Sequence, residues 1–193
     1  WVDISGRDPQ GAFGFSLLSE GKYGYSVLPG EIRLTVLHSP IWSHHRPLVA
    51  SPEDGYELME QGMHTFHYRM IVHEGDWRDA GIPGQAQVFA QKPILTPTHR
   101  HSGSLPAGCS TVEIDAANIA VVAIKPAEQD AGFILRCLEL VGKETDARLH
   151  LPLIGRELAA HFRPGEIKTF FIPSQASRAI TEVNLLEEPA AQS

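Results

Sequence analysis

The strongest constraint in this sequence is the alternation of apolar and polar residues from Gly21 to Pro40, GKYGYSVLPGEIRLTVLHSP. Tyr23, Tyr25 and Val27 fall at i, i+2 and i+4, so an extended backbone carries them on one face. Ile32, Leu34 and Val36 then alternate with Arg33, Thr35 and Leu37 until Ser39-Pro40 stops the run. Between the two runs, Leu28-Pro29-Gly30-Glu31 supplies a tight turn: proline presets φ at about −65° and glycine accepts a positive φ. The stretch predicts a β-hairpin. A strand face of this kind must be covered by another layer, so the hairpin implies a packed β domain.

The rest of the chain reads the same way. Trp1–Ser5 predicts a short strand, Gly6–Gly11 a loop, and Ala12–Ser19 a second strand with Phe13 and Phe15 on one face. Ile41–Gln61 is a long polar excursion with one helical turn around Tyr56–Glu60. Met63–His73 predicts the longest strand, with His64, Phe66, Tyr68, Met70 and Val72 facing one way and Thr65, His67, Arg69, Ile71 and His73 the other. Asp76–Ala80 suits a single turn capped by aspartate, and Gln85–Ala90 another short strand. Gln91–Cys109 holds three prolines and two glycines without apolar periodicity, a boundary signal. Beyond it, Val112–Asp115, Ile119–Lys125, Phe133–Val141 and Ala147–Leu153 predict strands at short spacing. Arg156–Phe162 is the best helical candidate, and Glu166–Ile172 and Ala179–Leu186 close the chain as strands. The fold class is therefore mainly β, antiparallel and sandwich-like, in two lobes: 1–95 and 110–193, joined by a linker over 96–109.

Charge excludes some partners. Sixteen basic residues against 23 acidic ones leave a net charge of −7, without a Lys/Arg run. Nucleic acid and anionic membranes both favour a clustered positive face, so neither is expected. No apolar run approaches the roughly 20 residues that span a bilayer. WVDISGRD has neither the basic nor the apolar region of a signal peptide. Two isolated thiols, Cys109 and Cys137, point to a reducing compartment and a cytoplasmic setting. The chain opens without Met, directly on a strand-like Trp1-Val2-Asp3-Ile4, and is expected to be cut from something longer. Open sheet edges would follow, predicting a homodimer or an apolar exposed face on residues 1–95.

Chemistry is sparse. His99-Arg100-His101 has metal-ligand spacing, but Leu105 and Pro106 occupy the ground where a further ligand would be needed. His44 and His45 are adjacent and cannot share a strand face; His64 and His67, three apart, face opposite ways on a strand. Glu53-Asp54, Asp76/Asp79 and Glu187-Glu188 lie in loops or at element ends, where charged surface is the ordinary reading. The sequence has no nucleophile elbow, phosphate loop, C-x-x-C or H-E-x-x-H. Cys109 lacks a visible partner base. The residues predict a β domain without a catalytic constellation or metal site of its own.

Several runs nevertheless resemble a family. FGFSLLSEGKYGYSVLPGEIRLTVLHSP followed by GMHTFHYRMIVHEGDWRDAG is similar to the C-terminal region of bacterial class II α-mannosidases, glycoside hydrolase family 38. Lys22-Tyr23-Gly24-Tyr25, Leu34 with Ser39-Pro40, and Gly62, His64, Phe66, Tyr68, His73, Gly75, Asp76 and Trp77 match its motifs. In the second lobe, Phe133-Ile134-Leu135-Arg136 with Glu139, Pro164–Thr169 and Glu182–Glu187 match its later strands. The resemblance implies that residues 1–95 are the end of a galactose-mutarotase-like β supersandwich and that 110–193 are a small terminal β-sandwich. It also implies that zinc and both catalytic carboxylates belong to an N-terminal catalytic domain of a parent enzyme acting on α-mannosides. This chain would then be inactive by itself, packing against that domain and shaping its cleft. Lys22, Tyr23, Tyr25 and His38 are the cleft-facing candidates for sugar binding; His38 stands where relatives often carry Arg. Two other readings stay open. A free-standing carbohydrate-binding module would display Trp42, Trp77 or Tyr56 to solvent, and a dimerisation domain would display a wide apolar patch.

Overall fold

The computed structural model describes residues 1–41, 53 and 55–189. Contacts divide the chain into two compact units, Trp1–Ile94 and Leu95–Ser193.

In the first unit, β1 (Val2–Asp8) and β2 (Gly11–Ser19) form an antiparallel pair, and β5 (Tyr68–Glu74) joins β2 on its other side. Asp8 closes the β1–β2 turn by accepting the amides of Gln10 and Gly11 at 2.8 and 2.9 Å. The loop expected over Gly6–Gly11 is therefore only a two-residue turn, and its first residues are strand. The expected hairpin is present as β3 (Tyr25–Leu28) and β4 (Glu31–Leu34), with Gly30 at φ +75° in the turn. β5 begins at Tyr68, not Met63: Gly62 sits at φ +120°, and residues 63–67 carry no ladder.

Register separates the two faces of the β1–β2–β5 sheet. Pairing of Ile4 with Phe15 and of Phe15 with Val72 puts apolar side chains on one face. Asp3, Ser16, Leu18, Arg69, Ile71 and His73 occupy the other. That second face is closed by α1 (Ile82–Ala90), which packs on β2 and lays Phe89 beneath the Arg69 guanidinium, 5.0 Å from the ring centre. Gln85–Ala90 is thus helix where a strand was expected. Gly81 in the left-handed region and Pro83 in the first turn start it. Asp76 caps the preceding turn, its Oδ1 accepting the Arg78 and Asp79 amides at 2.7 and 3.2 Å.

The second unit is a two-layer β-sandwich. One sheet has the order β10 (Arg156–Phe162), β9 (Thr145–Leu151), β6 (Glu113–Ile114). The other runs β12 (Thr181–Val183), β11 (Ile167–Pro173), β8 (Gly132–Glu139), β7 (Ile119–Pro126). All these pairings are antiparallel. Leu135, Cys137, Leu149, Phe162 and Ile172 are fully buried and form one cluster contributed by both sheets. Arg156–Phe162, expected as helix, is strand: Leu158, Ala160 and Phe162 turn inward while Glu157, Ala159 and His161 face out. A bulge at Val121–Ala123 turns Val122 outward on β7.

Candidate functional site

Of the four residues expected to face a sugar, two are engaged in the first unit's own structure. Ser19, at the buried end of β2, meets the Tyr25 hydroxyl at 2.5 Å and donates to the Lys22 carbonyl. The Lys22 ammonium lies 5.0 Å above the Phe66 ring, a cation–π contact. Nearby Glu20 holds Lys92 at 2.8 Å and His67 at 3.1 Å. The Lys92 hydrogen bond, helped by His67, keeps the Glu20 carboxyl below its usual range against the opposing pull of desolvation. Tyr23 is 82% exposed, and His38 is exposed beyond the end of β4. The fold thus gathers Lys22 and Tyr25 around Ser19 and leaves Tyr23 and His38 accessible.

A buried polar cluster escaped the sequence reading. Asp3, Ser16 and His73 come from three different strands, and only the ladder brings them together. His73 Nε2 lies 2.8 Å from Asp3 Oδ2 and 3.2 Å from Ser16 Oγ, while Ser16 donates to the same Asp3 oxygen at 2.5 Å. Ser5 donates to the other Asp3 oxygen at 2.5 Å. The residue types are those of a hydrolytic triad, but the arrangement is not. Catalysis needs the acid on one imidazole nitrogen and the serine on the other. Here both crowd Nε2, and Nδ1 faces the Glu74 carbonyl at 3.3 Å. The serine proton is committed to the carboxylate. The cluster joins strands.

Glu139 is the corresponding hub of the second unit. Its carboxylate accepts the backbone amides of Val141, Gly142 and Gly165 at 2.9, 2.7 and 2.8 Å, and the Asn118 amide at 2.8 Å. Burial pushes its pKa up, but these four donors outweigh burial and bring it down to about 2. A group so fully bonded and ionised has no proton to donate near neutral pH, so it is no general acid. Burial raises the Cys137 thiol to about 12, which makes it inert. Cys109 is exposed.

His99 and His101 lie exposed in the segment between the last element of the first unit and β6. His64 and His67 precede β5 and pair with Glu60 and Glu20 rather than with each other. Among the described residues, no three His, Cys, Asp or Glu side chains stand close enough to hold a metal ion. His44, His45, Trp42 and Asp54 lie outside the described residues. Trp77 is not a bare stacking surface: Arg78 covers its ring at 4.0 Å, and Trp1 tilts against it at 5.2 Å. Tyr56 is half-buried.

One concavity of the first unit is apolar. The open face of the β1–β2–β5 sheet and the inner side of the β3–β4 hairpin enclose a groove of about 690 Å³. Ile4, Phe15, Leu17, Ile32, Leu34 and Met70 line it, and no charged residue does. It lacks the convergent polar groups that orient a sugar. It has the character of a packing surface.

Comparison with known proteins agrees with the resemblance in sequence. Residues 118–193 match the family model described as the glycosyl hydrolases family 38 C-terminal beta sandwich domain. Alpha-mannosidase G of Dictyostelium discoideum is 32% identical over 152 residues, which is 75% of this chain and 12% of that protein. Alpha-mannosidase 2C1 of Homo sapiens is 28% identical over 156 residues, 79% of this chain and 13% of that protein. The mouse protein of the same name is 27% identical over 157 residues. The chain spans about an eighth of the length of these relatives. No solved structure matches. Residues 118–193 of the second unit are thus similar to the glycosyl hydrolases family 38 C-terminal beta sandwich domain, and three-quarters of the chain aligns with an α-mannosidase.

Proposed function

We propose that this chain is the non-catalytic C-terminal β region of an α-mannosidase and serves as a supporting wall for a catalytic domain on the same polypeptide. The observation that carries the reading is the family match over residues 118–193, joined to an alignment of 75% of the chain with an α-mannosidase. The parent would hydrolyse terminal α-mannosides with retention, using a carboxylate nucleophile and an acid/base partner. The acids best placed by burial, Asp3 and Glu139, are consumed by structural hydrogen bonds, which supports assigning the chemistry elsewhere. Zinc belongs to the same expectation for the parent. The described donors of this chain do not fit such an ion.

A rigid sandwich positions loops, and positioned loops shape a cleft. Tyr23 and His38 are the side chains available to reach a sugar; Lys22 and Tyr25 support the backbone that carries Tyr23. A cytoplasmic setting is part of the proposal, supported by the unpaired Cys109 and Cys137. The carbohydrate-module reading loses support from the covered Trp77 ring. Hydrolysis of a chromogenic α-mannoside tests the division of labour. The parent polypeptide is expected to turn it over and the 193-residue chain to leave it intact. Turnover by the chain alone would reject the proposal.

A further inference from the structure

We infer that the β8–β9 turn, residues 140–144, is a pH-sensitive latch with two ties, Glu139 inside the sandwich and His161 on its outer face. The latch opens at its Glu144 end when His161 loses its proton. The inference stands on the second unit alone and does not depend on reading the chain as part of an enzyme.

Counting protons gives the upper limit of the closed state. His161 Nδ1 lies 2.8 Å from Asp146 Oδ1, and its Nε2 lies 3.0 Å from Glu144 Oε1. A carboxylate only accepts, so each contact needs an N–H on its nitrogen. The imidazolium has two such groups and the neutral ring has one. Both bonds exist together only in the charged form, and loss of the proton leaves one carboxylate facing a bare lone pair. Asp146 is the cross-strand partner of His161 in the β9–β10 ladder, which keeps it beside the ring in either form. Glu144 lies just before β9, outside that ladder, so it is the partner released. The hydrogen bonds to Asp146 and Glu144 raise the His161 pKa above its usual 6.5, against desolvation.

The other charges around the ring do not replace the lost tie. Glu157 shares its strand face, and Asp115 and Arg148 lie toward β6. On the other side Arg163 is paired with Glu166 and Lys168 with Glu182.

The inner tie has the opposite sign. Glu139 accepts the Val141 and Gly142 amides, and its remaining partners are the Gly165 amide and the neutral Asn118. With a pKa of about 2 it stays ionised through the whole range in which His161 titrates. Val141 and Gly142 therefore remain held while Lys143 and Glu144 come free. A tie that needs a proton closes the latch from above, and one that needs an ionised acid closes it from below.

NMR of the 193-residue chain, titrated from about pH 5 to about 9, tests the inference. The His161 midpoint is expected above 6.5. Through that midpoint the amide order parameters of Lys143 and Glu144 should fall from about 0.85 toward about 0.6, while those of Val141 and Gly142 hold. Glu144→Gln, a change at an exposed side chain, should lower the midpoint, and His161→Gln should abolish the pH dependence at Lys143 and Glu144. A midpoint that Glu144→Gln leaves unmoved overturns the inference. So does order at Lys143 and Glu144 that stays constant across the titration, or that is lost together with Val141 and Gly142.

Discussion

Gly14 and His73 face each other across the β2–β5 ladder, and the imidazole occupies the space a side chain on the glycine would need: a Cβ on Gly14 would come within 2.3 Å of His73 Cε1 and 2.7 Å of Nε2. That placement holds Nε2 2.8 Å from Asp3, in a cluster where the His73 and Asp3 side chains are 6% and 4% exposed. The glycine is required by its neighbour, not by its own backbone angles.

Replacement of Gly14 by alanine must push the ring off Asp3 and Ser16. We expect Gly14→Ala to cost on the order of 2–4 kcal/mol in urea unfolding of the first unit, the range for disrupting a buried hydrogen-bond network. Gly6→Ala is the control on the same sheet. There a Cβ would meet only Phe13 Cζ, at 3.7 Å, an ordinary contact. A similar loss in both variants would reject the explanation.

The same cluster makes stability depend on pH. Burial raises the Asp3 pKa, but hydrogen bonds from Ser16, Ser5 and His73, with the histidine's charge, bring it below its ordinary 3.8. A carboxyl depressed by folding stabilises above its unfolded pKa, and that contribution disappears as pH falls through the folded value. The first unit is therefore expected to weaken below about pH 4. In Asp3→Asn the drop over this window should be shallower, on a baseline already lowered by about 1–3 kcal/mol. Parallel pH profiles for the two proteins would count against the cluster.

Glu139 makes a sharper case in the second unit. Its pKa of about 2 against an ordinary 4.5 means stabilisation that is complete above roughly pH 4.5 and decays toward pH 2, on the order of 3 kcal/mol. Glu139→Gln keeps the shape but turns an amide NH2 toward donors that need an acceptor. We expect thermal unfolding at neutral pH to show a loss of roughly 2–4 kcal/mol, and the slope between pH 4.5 and 2 to flatten relative to the parent sequence. A variant as stable as the original would show that the loops at this end hold themselves.

What was legible in the sequence follows from locality. The β3–β4 hairpin was readable because Pro29-Gly30 and the alternation around it are local signals, and Ala12–Ser19 and Phe133–Glu139 for the same reason. Arg156–Phe162 misled because Glu, Leu and Ala favour helix, whereas seven residue pairings with β9 decide the outcome. In Gln85–Ala90 the informative residues were Gly81 and Pro83, lying before the segment that was read. The Asp3–Ser16–His73 cluster was illegible in principle: its members are separated by 13, 57 and 70 positions, and only the register unites them. Phe13, Met70 and Val72 are exposed on one face of the β1–β2–β5 sheet, where alternation alone does not say which face is covered.

Tyr23 and Tyr25 separate a contribution to sugar binding from a contribution to folding. Tyr25→Phe removes the hydroxyl that meets Ser19, so the isolated chain should lose about 1 kcal/mol. Tyr23, 82% exposed, should tolerate alanine within about 0.5 kcal/mol. If Tyr23 reaches the sugar, Tyr23→Ala in the parent α-mannosidase should raise KM roughly five- to tenfold with little change in kcat, the pattern of lost uniform binding. His38→Ala is the companion test, because His38 is exposed at the end of the same hairpin. Unchanged KM in both variants would remove this chain from the sugar site and leave it a supporting role alone. A loss of stability in Tyr23→Ala would instead mean that the ring packs against something in the chain that its exposure does not suggest.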